Sequence, residues 1–483
     1  MKYYPTIGLE IHAELLTESK MFCDCKNDPL ETEPNINVCP ICLGHPGTLP
    51  KANWKAIELV IKTGLALNCK INHFSKFDRK NYFYPDLPKA YQISQYDQPF
   101  CYQGFLILPF LKKRIGIRRI HLEEDAAKLF HSPDGKHSLV DFNRAGVPLM
   151  ELVTEPDFSS AQEVVEFAQE LQLILRYLKV SAADMEKGNL RLEANISVSQ
   201  NSNELGTKVE VKNLNSFRAL AKAIDYEVKR QIDLLEKGHQ VVQETRGWDE
   251  IKEETFSQRS KEEAHDYRYF PEPDLPPFSL SAEMIEEIRS KIEELPQEKR
   301  ERFEKEYNLS EKKSQVLVEN PYLADFFEEA VSELKSLNKE ADINLVYNYL
   351  VSDVKGLEKE KGTLLENSKL KPKDLAYLVS LAGSGKISSR VAKDVLAKVF
   401  EEGSSPQEVI AAGNLEQVSD ENQLEKIARL VIDKNQKVWY DYKNGKENAL
   451  QFLIGQVMKE TKGKANPKII HSIFEELKRK ETD

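Results

Sequence analysis

Four of the six cysteines form two closely spaced pairs, Cys23 with Cys25 and Cys39 with Cys42, and 13 residues separate the pairs. Thiolates at such spacings are typical of tetrahedral zinc, and four protein ligands would make the site structural because no position stays open for a substrate. The alternatives are incidental buried thiols or a redox pair. We favour zinc, since one ion would fix a segment rich in Pro and Asn that has little core of its own.

A second set of reactive side chains lies on segments whose alternation predicts β-strands. In residues 8–15 a period of two places Glu10, His12 and Glu14 on one face, opposite an apolar face. Two further segments repeat the pattern and contribute Arg191, Glu193, Asn195, Glu210 and Lys212. For any single strand, the solvated outer face of an antiparallel sheet is the alternative. Three strands that share Glu, His and Arg together favour the lining of a cleft.

More carboxylates occur in short polar motifs, among them Glu123, Glu124 and Glu151. Divalent cations such as Mg²⁺ prefer oxygen ligands, and a nearby Arg or Lys neutralises charge on a transferring phosphoryl group. The composition is therefore compatible with magnesium and a nucleoside triphosphate, although it does not establish either. Residues 383–386 (GSGK) look like part of a phosphate loop, but the first Gly and the Ser/Thr of that motif are absent, so we expect a turn between helices.

The elements that must position these residues change character along the chain. Residues 1–280 read as short alternating strands with one clear helix at 161–178, whereas helical periodicity dominates after the Pro-dense segment 271–278. This pattern predicts an α+β fold of three domains. Their predicted bounds are 1–290, 291–405 and 406–483, with the second boundary at a Gly/Ser/Pro-containing linker.

Length and charge exclude several classes of protein. A chain of 483 residues with 40% hydrophobic residues can build packed cores, and a net charge of −11 argues against a uniformly basic nucleic-acid coat. Residues 424–480 nevertheless carry 13 Lys and Arg against seven Asp and Glu, a local excess of basic charge suited to phosphates. No membrane-length apolar stretch and no secretory signal are evident, so we expect a cytoplasmic protein.

Longer motifs make the sequence distinctive: GLEIHAEL (8–15), KFDRKNYFYPDLPKAYQISQYDQP (76–99), HLEEDAAK (121–128), DFNRAGVPLMELVTEPD (141–157), EVKNLNSF (210–217), ETRGWDE (244–250), HDYRYFPEPDL (265–275) and GQVMKETKGKANP (455–467). Through them the chain closely resembles, over nearly its whole length, the B subunit of the tRNA-dependent amidotransferase. Two departures are small: Ala127 stands where the family usually has Gly, and Glu193 where it usually has Asp.

The resemblance implies a cradle-shaped catalytic domain similar to glutamine synthetase, then an all-α domain and a small helical tail. It also implies that tRNA(Gln) charged with Glu, tRNA(Asn) charged with Asp, or both, enter the cradle, where ATP and Mg²⁺ activate the side-chain carboxylate as an acyl phosphate. Ammonia, which a separate amidase subunit releases from glutamine, then displaces phosphate. A small third subunit completes the heterotrimer, and neither DNA nor a membrane is an expected partner.

Roles for individual residues follow from the same motifs. The implied catalytic residues are Glu10, His12, Glu124, Glu151 and Arg191, and the implied magnesium ligands are Glu10, His12, Glu123, Glu124 and Glu151. The implied contacts to the nucleotide or to the substrate carboxylate are Glu193, Glu210, Lys212, Arg246 and Arg268. The implied tRNA contacts are Tyr82, Tyr84, Lys89, Lys459, Lys462 and Lys464. Since members of the family differ in their cysteines, the full set of four in this chain specifically predicts zinc.

Two other classes remain as alternatives to an ATP-dependent amidating subunit. A tRNA-binding scaffold without its own chemistry would not need the acidic strands to converge on one cleft. A free-standing ligase similar to glutamine synthetase would not need the basic tail. The motifs favour the amidating subunit, which would depend on a partner for ammonia because no glutaminase nucleophile is evident.

Overall fold

The structure is a computed structural model that describes residues 2–260, 264–413, 415, 421–461 and 465–482. It is mixed α/β, with a large sheet in the N-terminal part and helices in the C-terminal part. The strands are β1 (Tyr4–Glu14), β2 (Lys70–Ile71), β3 (Phe74–Ser75), β4 (Asp78–Asn81), β5 (Tyr91–Ser94), β6 (Cys101–Ile107), β7 (Arg114–Glu124), β8 (Lys128–His131), β9 (Ser138–Asp141), β10 (Pro148–Thr154), β11 (Leu190–Ser199), β12 (Val209–Leu214), β13 (Glu244–Asp249), β14 (Glu254–Ser260), β15 (Phe270–Pro271) and β16 (Phe278–Ser279).

The helices begin between β1 and β2 and fill the chain after residue 281. They are α1 (Trp54–Ala66), α2 (Ala161–Tyr177), α3 (Phe217–Glu236), α4 (Ala282–Ser290), α5 (Pro296–Tyr307), α6 (Glu311–Val318), α7 (Pro321–Leu337), α8 (Ile343–Asn348), α9 (Lys355–Lys361), α10 (Pro372–Gly383), α11 (Ser389–Glu402), α12 (Pro406–Gly413), α13 (Glu421–Lys434), α14 (Gln436–Lys443), α15 (Glu447–Glu460) and α16 (Pro467–Thr482). Shorter helical segments are the 3₁₀ turns Ala264–Tyr267 and Leu365–Asn367 and the π-helix Tyr349–Val354.

The chain divides into two compact units, Met1–Lys299 and Arg300–Asp483, and the division falls within α5. The finer partition into 1–290, 291–405 and 406–483 stays a prediction. In the described part of the chain, no helix is long and apolar enough to cross a membrane.

A nine-stranded sheet organises the first unit, in the order β14-β13-β12-β11-β1-β10-β7-β6-β2. All neighbours are antiparallel except β12 and β13, which run parallel. The first strand of the sequence is therefore central, with β10 on one side and β11 on the other. In this register His12 lies opposite Glu151 on β10 and opposite Arg191 on β11.

One face of the sheet is covered by helices and forms the main hydrophobic core. Ile7, Leu9 and Ile11 of β1 are completely or almost completely buried there, in the same apolar cluster as residues of α1, α2 and α3. Phe158 packs edge-to-face on Phe167 of α2, with ring centroids 5.3 Å apart. Because side chains alternate along a strand, this packing turns the polar residues of β1 to the opposite face.

Sequence periodicity identified one of the three long helices that pack on the sheet. The predicted helix at 161–178 is α2, whose first turn is capped by the Ser160 hydroxyl accepting from Glu163 N. The structure adds α1 and α3, which the strand-like reading of this region missed. Eight of the 13 residues of α1 are buried, so its sequence shows too little polar contrast for a helical period to stand out.

The second unit is helical, as predicted from its periodicity. Its end has a core of its own, in which α13–α16 pack around residues such as Trp439, Leu453 and Phe474. Gly383 is the last residue of α10, residues 384–386 lie between α10 and α11, and Gly385 has a φ of +72°. The expected turn between helices is confirmed, and the phosphate-loop interpretation is excluded.

Two helical glycines should respond oppositely to alanine. Ala favours a helix over Gly by about 1 kcal/mol, but a Cβ on Gly64 of α1 would overlap Cys101 Sγ and lie 2.9 Å from Cys101 Cβ. A Cβ on Gly455 of α15 would meet nothing within 4 Å. We expect Gly64→Ala to lower the free energy of unfolding of its unit by up to about 2 kcal/mol net, because overpacking a core costs about 1–3 kcal/mol. Gly455→Ala should raise that of the second unit, and calorimetry of both variants checks the opposite signs.

Candidate active site and metal centres

Three side chains on the polar face of the sheet converge into a cluster, which we call the His12 cluster: His12 of β1, Glu123 of β7 and Glu151 of β10. Donor atoms of all three lie within 4.8 Å of one another. His12 Nε2 is 3.4 Å from a Glu151 oxygen and 3.8 Å from a Glu123 oxygen. His121, the neighbour of Glu151 in the sheet, approaches the same two carboxylates at 3.4 and 3.8 Å. Two histidines thus flank two buried carboxylates.

The protonation of the His12 cluster reflects its burial and its charges. Burial alone would lower the pKa of His12, but the hydrogen bond and charge of Glu151, aided by Glu193 and Glu123, raise that pKa to about 9. Burial likewise opposes ionisation of Glu151, yet the charges and hydrogen bonds of His121 and His12 hold its pKa well below the ordinary value. The chain alone therefore keeps carboxylates ionised by protonating the adjacent imidazoles.

Glu10 precedes His12 by two residues on the same face of β1 and belongs to a second acidic set. We call this set the Glu10 cluster: Glu10 of β1, Glu193 of β11 and Glu210 of β12. Their carboxylate oxygens also lie within 4.8 Å of one another. Asn195 Nδ2 donates to Glu10 at 2.9 Å, and Lys212 Nζ lies 2.8 Å from Glu193 and 3.8 Å from Glu210. Three carboxylates so close together repel one another, so Lys212 offsets only part of their charge.

Cations and aromatic rings border the His12 cluster. Burial opposes the charge of Lys80 on β4, but the nearby carboxylates of Glu123 and Glu151 raise its pKa well above the ordinary value. Its ammonium sits 5.0 Å from the Tyr267 ring centroid and 5.9 Å from that of Tyr82. Arg119 of β7 approaches Glu151 at 3.9 Å, and its Nε is buried without a hydrogen-bond partner among the described residues.

A cavity of about 260 Å³ borders the Glu10 cluster at the other end of the polar face. Its walls come from Thr6 and Gly8 of β1, from Ser197 of β11 and from a loop that includes residues 205–208. Arg118 of β7 also lines it. Cavity, Glu10 cluster and His12 cluster therefore follow one another along a single strand.

The three arginines predicted for the site have different positions. Arg191 lies beside His12 in the sheet, and its guanidinium donates to Asp125 at 2.7 Å. Arg246 is held away from the acidic clusters by bonds to Thr255 and Glu244 and lies 3.6 Å from Glu227 of α3. Arg268 is exposed, with a φ of +47°. Of these three, only Arg191 lies next to a member of the His12 cluster.

Glu124 does not join the His12 cluster, although Glu123 does. Successive residues of a strand point to opposite faces, and Glu124 accepts from Lys89 Nζ at 2.7 Å and from Ile93 N at 3.0 Å. Glu124 and Lys89 together line a cavity of about 210 Å³ beside Cys42. Lys89 is thus engaged in a buried ion pair rather than presented on an open surface.

The remaining predicted tRNA contacts are scattered. Tyr82 packs against Tyr267, with centroids 5.8 Å apart, whereas Tyr84 is exposed. Lys459 is exposed on α15. Lys462 and Lys464 lie outside the described residues.

The four clustered cysteines do come together. The sulfurs of Cys23, Cys25, Cys39 and Cys42 lie within 4.8 Å of one another. Zinc–sulfur bonds of about 2.3 Å in a tetrahedron require separations just under about 4 Å, so this set fits a zinc ion with small side-chain movements. A hydrogen bond from Cys23 lowers the pKa of the Cys42 thiol to about 5, which favours a thiolate at one corner. The two other cysteines, Cys69 and Cys101, belong to the main core.

Sequence reasoning missed Lys80, Arg119 and the site role of His121. A usable signal existed for the last two, because residues 119, 121 and 123 alternate along β7 as Glu10 and His12 do along β1. Lys80 carried no such signal. It reaches the cluster from β4, which belongs to a separate three-stranded sheet with β5 and β15.

The fold and the site define a mixed α/β protein whose central sheet presents two adjacent clusters suited to divalent cations. A family profile described as "GatB/GatE catalytic domain" matches residues 5–286, and one described as "GatB domain" matches residues 325–477. The B subunits of aspartyl/glutamyl-tRNA(Asn/Gln) amidotransferase from Thermoanaerobacter pseudethanolicus, Caldicellulosiruptor saccharolyticus and Thermotoga maritima are 51%, 50% and 48% identical to this chain. In each case the alignment covers 99% of both chains. The chain therefore belongs to the B-subunit family of these amidotransferases, as the motifs predicted.

The raised pKa of His12 predicts a pH dependence of stability in the absence of metal. A group whose pKa rises from 6.5 to about 9 on folding contributes stability that is complete below pH 6.5 and is lost as pH rises through 9. We expect this contribution to be of the order of 3 kcal/mol and absent from His12→Gln. Chemical unfolding in EDTA at pH 6 and pH 10 measures it. Equal pH slopes for both proteins would contradict the assignment.

Proposed function

We propose that this chain is the subunit of a tRNA-dependent amidotransferase that activates Glu on tRNA(Gln), Asp on tRNA(Asn), or both. The reaction would use ATP to convert the side-chain carboxylate into an acyl phosphate, which ammonia then amidates. The observation that carries the proposal is the pair of adjacent acidic clusters on the polar face of the sheet. A non-catalytic, tRNA-binding scaffold would have no use for this costly concentration of buried charge.

The two clusters fit magnesium by their donor chemistry. The Glu10 cluster offers three carboxylates, and the His12 cluster offers two carboxylates and an imidazole. Bound Mg²⁺ would neutralise phosphate oxygens and thereby make the γ-phosphorus accessible to an anionic nucleophile. The predicted ligand set is refined accordingly: Glu193 and Glu210 join Glu10, and Glu123 rather than Glu124 joins His12 and Glu151.

The order of features along β1 suggests a direction for the substrates. We assign the nucleoside of ATP to the cavity beside Glu10, whose lining combines the hydroxyl-bearing residues Thr6 and Ser197 with Gly8, which has no side chain. The triphosphate would then extend past Glu10 toward His12. The aminoacyl end of the tRNA would approach from the other side, where Tyr82 and Lys80 border the His12 cluster.

Each step then has a balanced chemistry. A carboxylate oxygen of the aminoacyl side chain bonds to the γ-phosphorus while the bond to the ADP oxygen breaks. Ammonia next bonds to the acyl carbon, phosphate leaves, and a proton from nitrogen passes to a base. Lys80 and Arg119 would hold the anionic substrate carboxylate and phosphate. Both cations lie near Glu151, and among the described residues neither has a carboxylate oxygen closer than 3.9 Å.

For the partner subunits, the fold of the first unit and the tRNA-binding tail, our proposal follows the family. Ammonia would come from glutamine through a separate amidase subunit, and a small third subunit would complete a cytoplasmic heterotrimer. We propose that the first unit is a cradle similar to glutamine synthetase. The basic helical tail, with Lys459 and the predicted contacts Lys462 and Lys464, would hold the tRNA body by its phosphates.

We further propose a structural zinc ion at Cys23, Cys25, Cys39 and Cys42. The segment between β1 and α1 that carries them has no regular strand or helix, so its conformation needs another source of rigidity. Four thiolates around one ion would supply it, and no open position would remain for catalysis.

The activation chemistry can be tested in the complex assembled with its amidase and small partner subunits, with Glu-tRNA(Gln), ATP and Mg²⁺, and with ammonium replacing glutamine. We expect Glu151→Gln and Glu10→Ala to reduce formation of Gln-tRNA by about 100-fold or more, as for loss of a group that stabilises transition-state charge. Glu286→Gln is the control, since Glu286 is exposed on α4 and, among the described residues, forms an ion pair with its helical neighbour Arg289 alone. Filter binding should show tRNA affinity unchanged in all three.

Normal activity of the Glu10 and Glu151 variants would remove the clusters from the mechanism. A wild-type complex that binds charged tRNA but forms no product under these conditions would favour the scaffold.

Zinc can be tested by elemental analysis of the purified chain. We expect one zinc per wild-type chain, and a loss of most of that zinc in Cys39→Ser, because a hydroxyl is a poor ligand for this ion. Cys69→Ala is the matched control, since Cys69 is buried in the main core away from the cluster. Equal zinc contents in the two variants would contradict the site.

A further inference from the structure

Lys20 is completely buried beside the cysteine cluster. Its backbone is fixed by a hydrogen bond from its N–H to Cys25 O at 2.9 Å, and its carbonyl accepts from Asn53 Nδ2. A bridge between Ser19 and Lys26 holds the same turn together. The side chain therefore cannot swing to solvent without breaking the turn that presents two of the four cysteines.

The contacts of the Lys20 ammonium group are unusual for a buried cation. Its Nζ lies 3.9 Å from Cys42 Sγ and donates to Phe142 O at 3.2 Å. Within the described part of the chain, no carboxylate lies within 4.0 Å of it. The stem packs beside Gly146, whose φ is +84°; a Cβ there would be in ordinary van der Waals contact with Lys20 Cδ, at 3.6 Å.

A buried ammonium is costly unless a negative charge compensates it, and one carbonyl dipole is a weak substitute for a counter-ion. The cysteine cluster is the available source of negative charge. One Zn²⁺ with four thiolates has a formal charge of −2, which is itself expensive to bury. The Lys20 ammonium and the anionic zinc–thiolate centre would therefore each lower the free-energy cost of burying the other.

We propose that Lys20 is the counter-cation of the zinc–thiolate centre and acts through Cys42. This inference rests on the zinc site proposed above. The ammonium stabilises the ionised Cys42 sulfur from the buried side, while the backbone N–H of Cys39 donates to the same sulfur at 3.2 Å. Partners outside the ligand set commonly tune metal affinity in this way. Lys20 is thus a positioning residue for the metal and takes no part in coordination.

The competing explanation is that Lys20 only ties two backbone segments together through Phe142 O. In that case the hydrogen bond matters and the charge does not. Two substitutions separate these roles: Lys20→Met removes both, and Lys20→Gln keeps a donor for the carbonyl while removing the charge. Lys26→Met is the control, because Lys26 lies in the same loop but is exposed and pairs with Asp28.

The test is a competitive titration of the full-length chain with Zn²⁺ and with Co²⁺, whose absorption bands report the number of bound thiolates. We expect Lys20→Met and Lys20→Gln to bind both ions about tenfold or more weakly than wild type. The Co²⁺ spectrum should keep its four-thiolate form, since all ligands remain. Lys26→Met should match wild type.

A second readout is the rate of zinc release when the loaded chain is treated with iodoacetamide. Removing the cation leaves the thiolates more electron-rich, so both Lys20 variants should react several-fold faster, and Lys20→Arg should restore slow release. Wild-type affinity and release rate in Lys20→Gln would overturn the proposal and leave the anchoring role. A wild-type chain that binds no zinc would instead overturn the zinc site on which the proposal rests.

Discussion

The candidate site depends above all on the register between β1 and its two neighbours. Antiparallel pairing sets His12 opposite Glu151 on one side and Arg191 on the other, and it sets Glu10 opposite Glu193. A slip of one residue would exchange the faces, burying these charges under the helices and exposing Ile11 and its neighbours. The hydrophobic core thus enforces the chemistry, because Ile7, Leu9 and Ile11 must stay beneath the helices.

Charge balance is the second constraint on the same face. Burial penalises the ionised forms of Glu123 and Glu151, and cations lie at intervals along the face: His121 and Lys80 near the His12 cluster, and Lys212 near the Glu10 cluster. In the Glu10 cluster, Lys212 pairs with two of the three carboxylates, those of Glu193 and Glu210. Such a partly compensated surface is suited to divalent cations and to a polyanionic substrate whose charges complete it.

The cysteine loop, which is the segment between β1 and α1, also contains a buried charge that needs compensation. The loop lacks regular secondary structure, and the proposed zinc ion would supply the rigidity that a ladder of hydrogen bonds gives the sheet. One of its sulfurs, Cys42 Sγ, lies near the buried Lys20, whereas Glu124 and Lys89 form their own pair nearby. With the proposed metal ions bound, these buried charges would each lie beside an opposite charge.

The sequence by itself determined the features that depend on local periodicity and spacing. The alternation of β1 predicted the shared face of Glu10 and His12, the cysteine spacing predicted the gathered sulfurs, and the helical period predicted α2. Tertiary structure alone decided which neighbours meet across strands. It paired Glu124 with Lys89, turned Arg246 toward Glu227 and brought Lys80 in from another sheet. A period of two fixes the face of a residue, but contacts between distant segments arise only when the whole core packs.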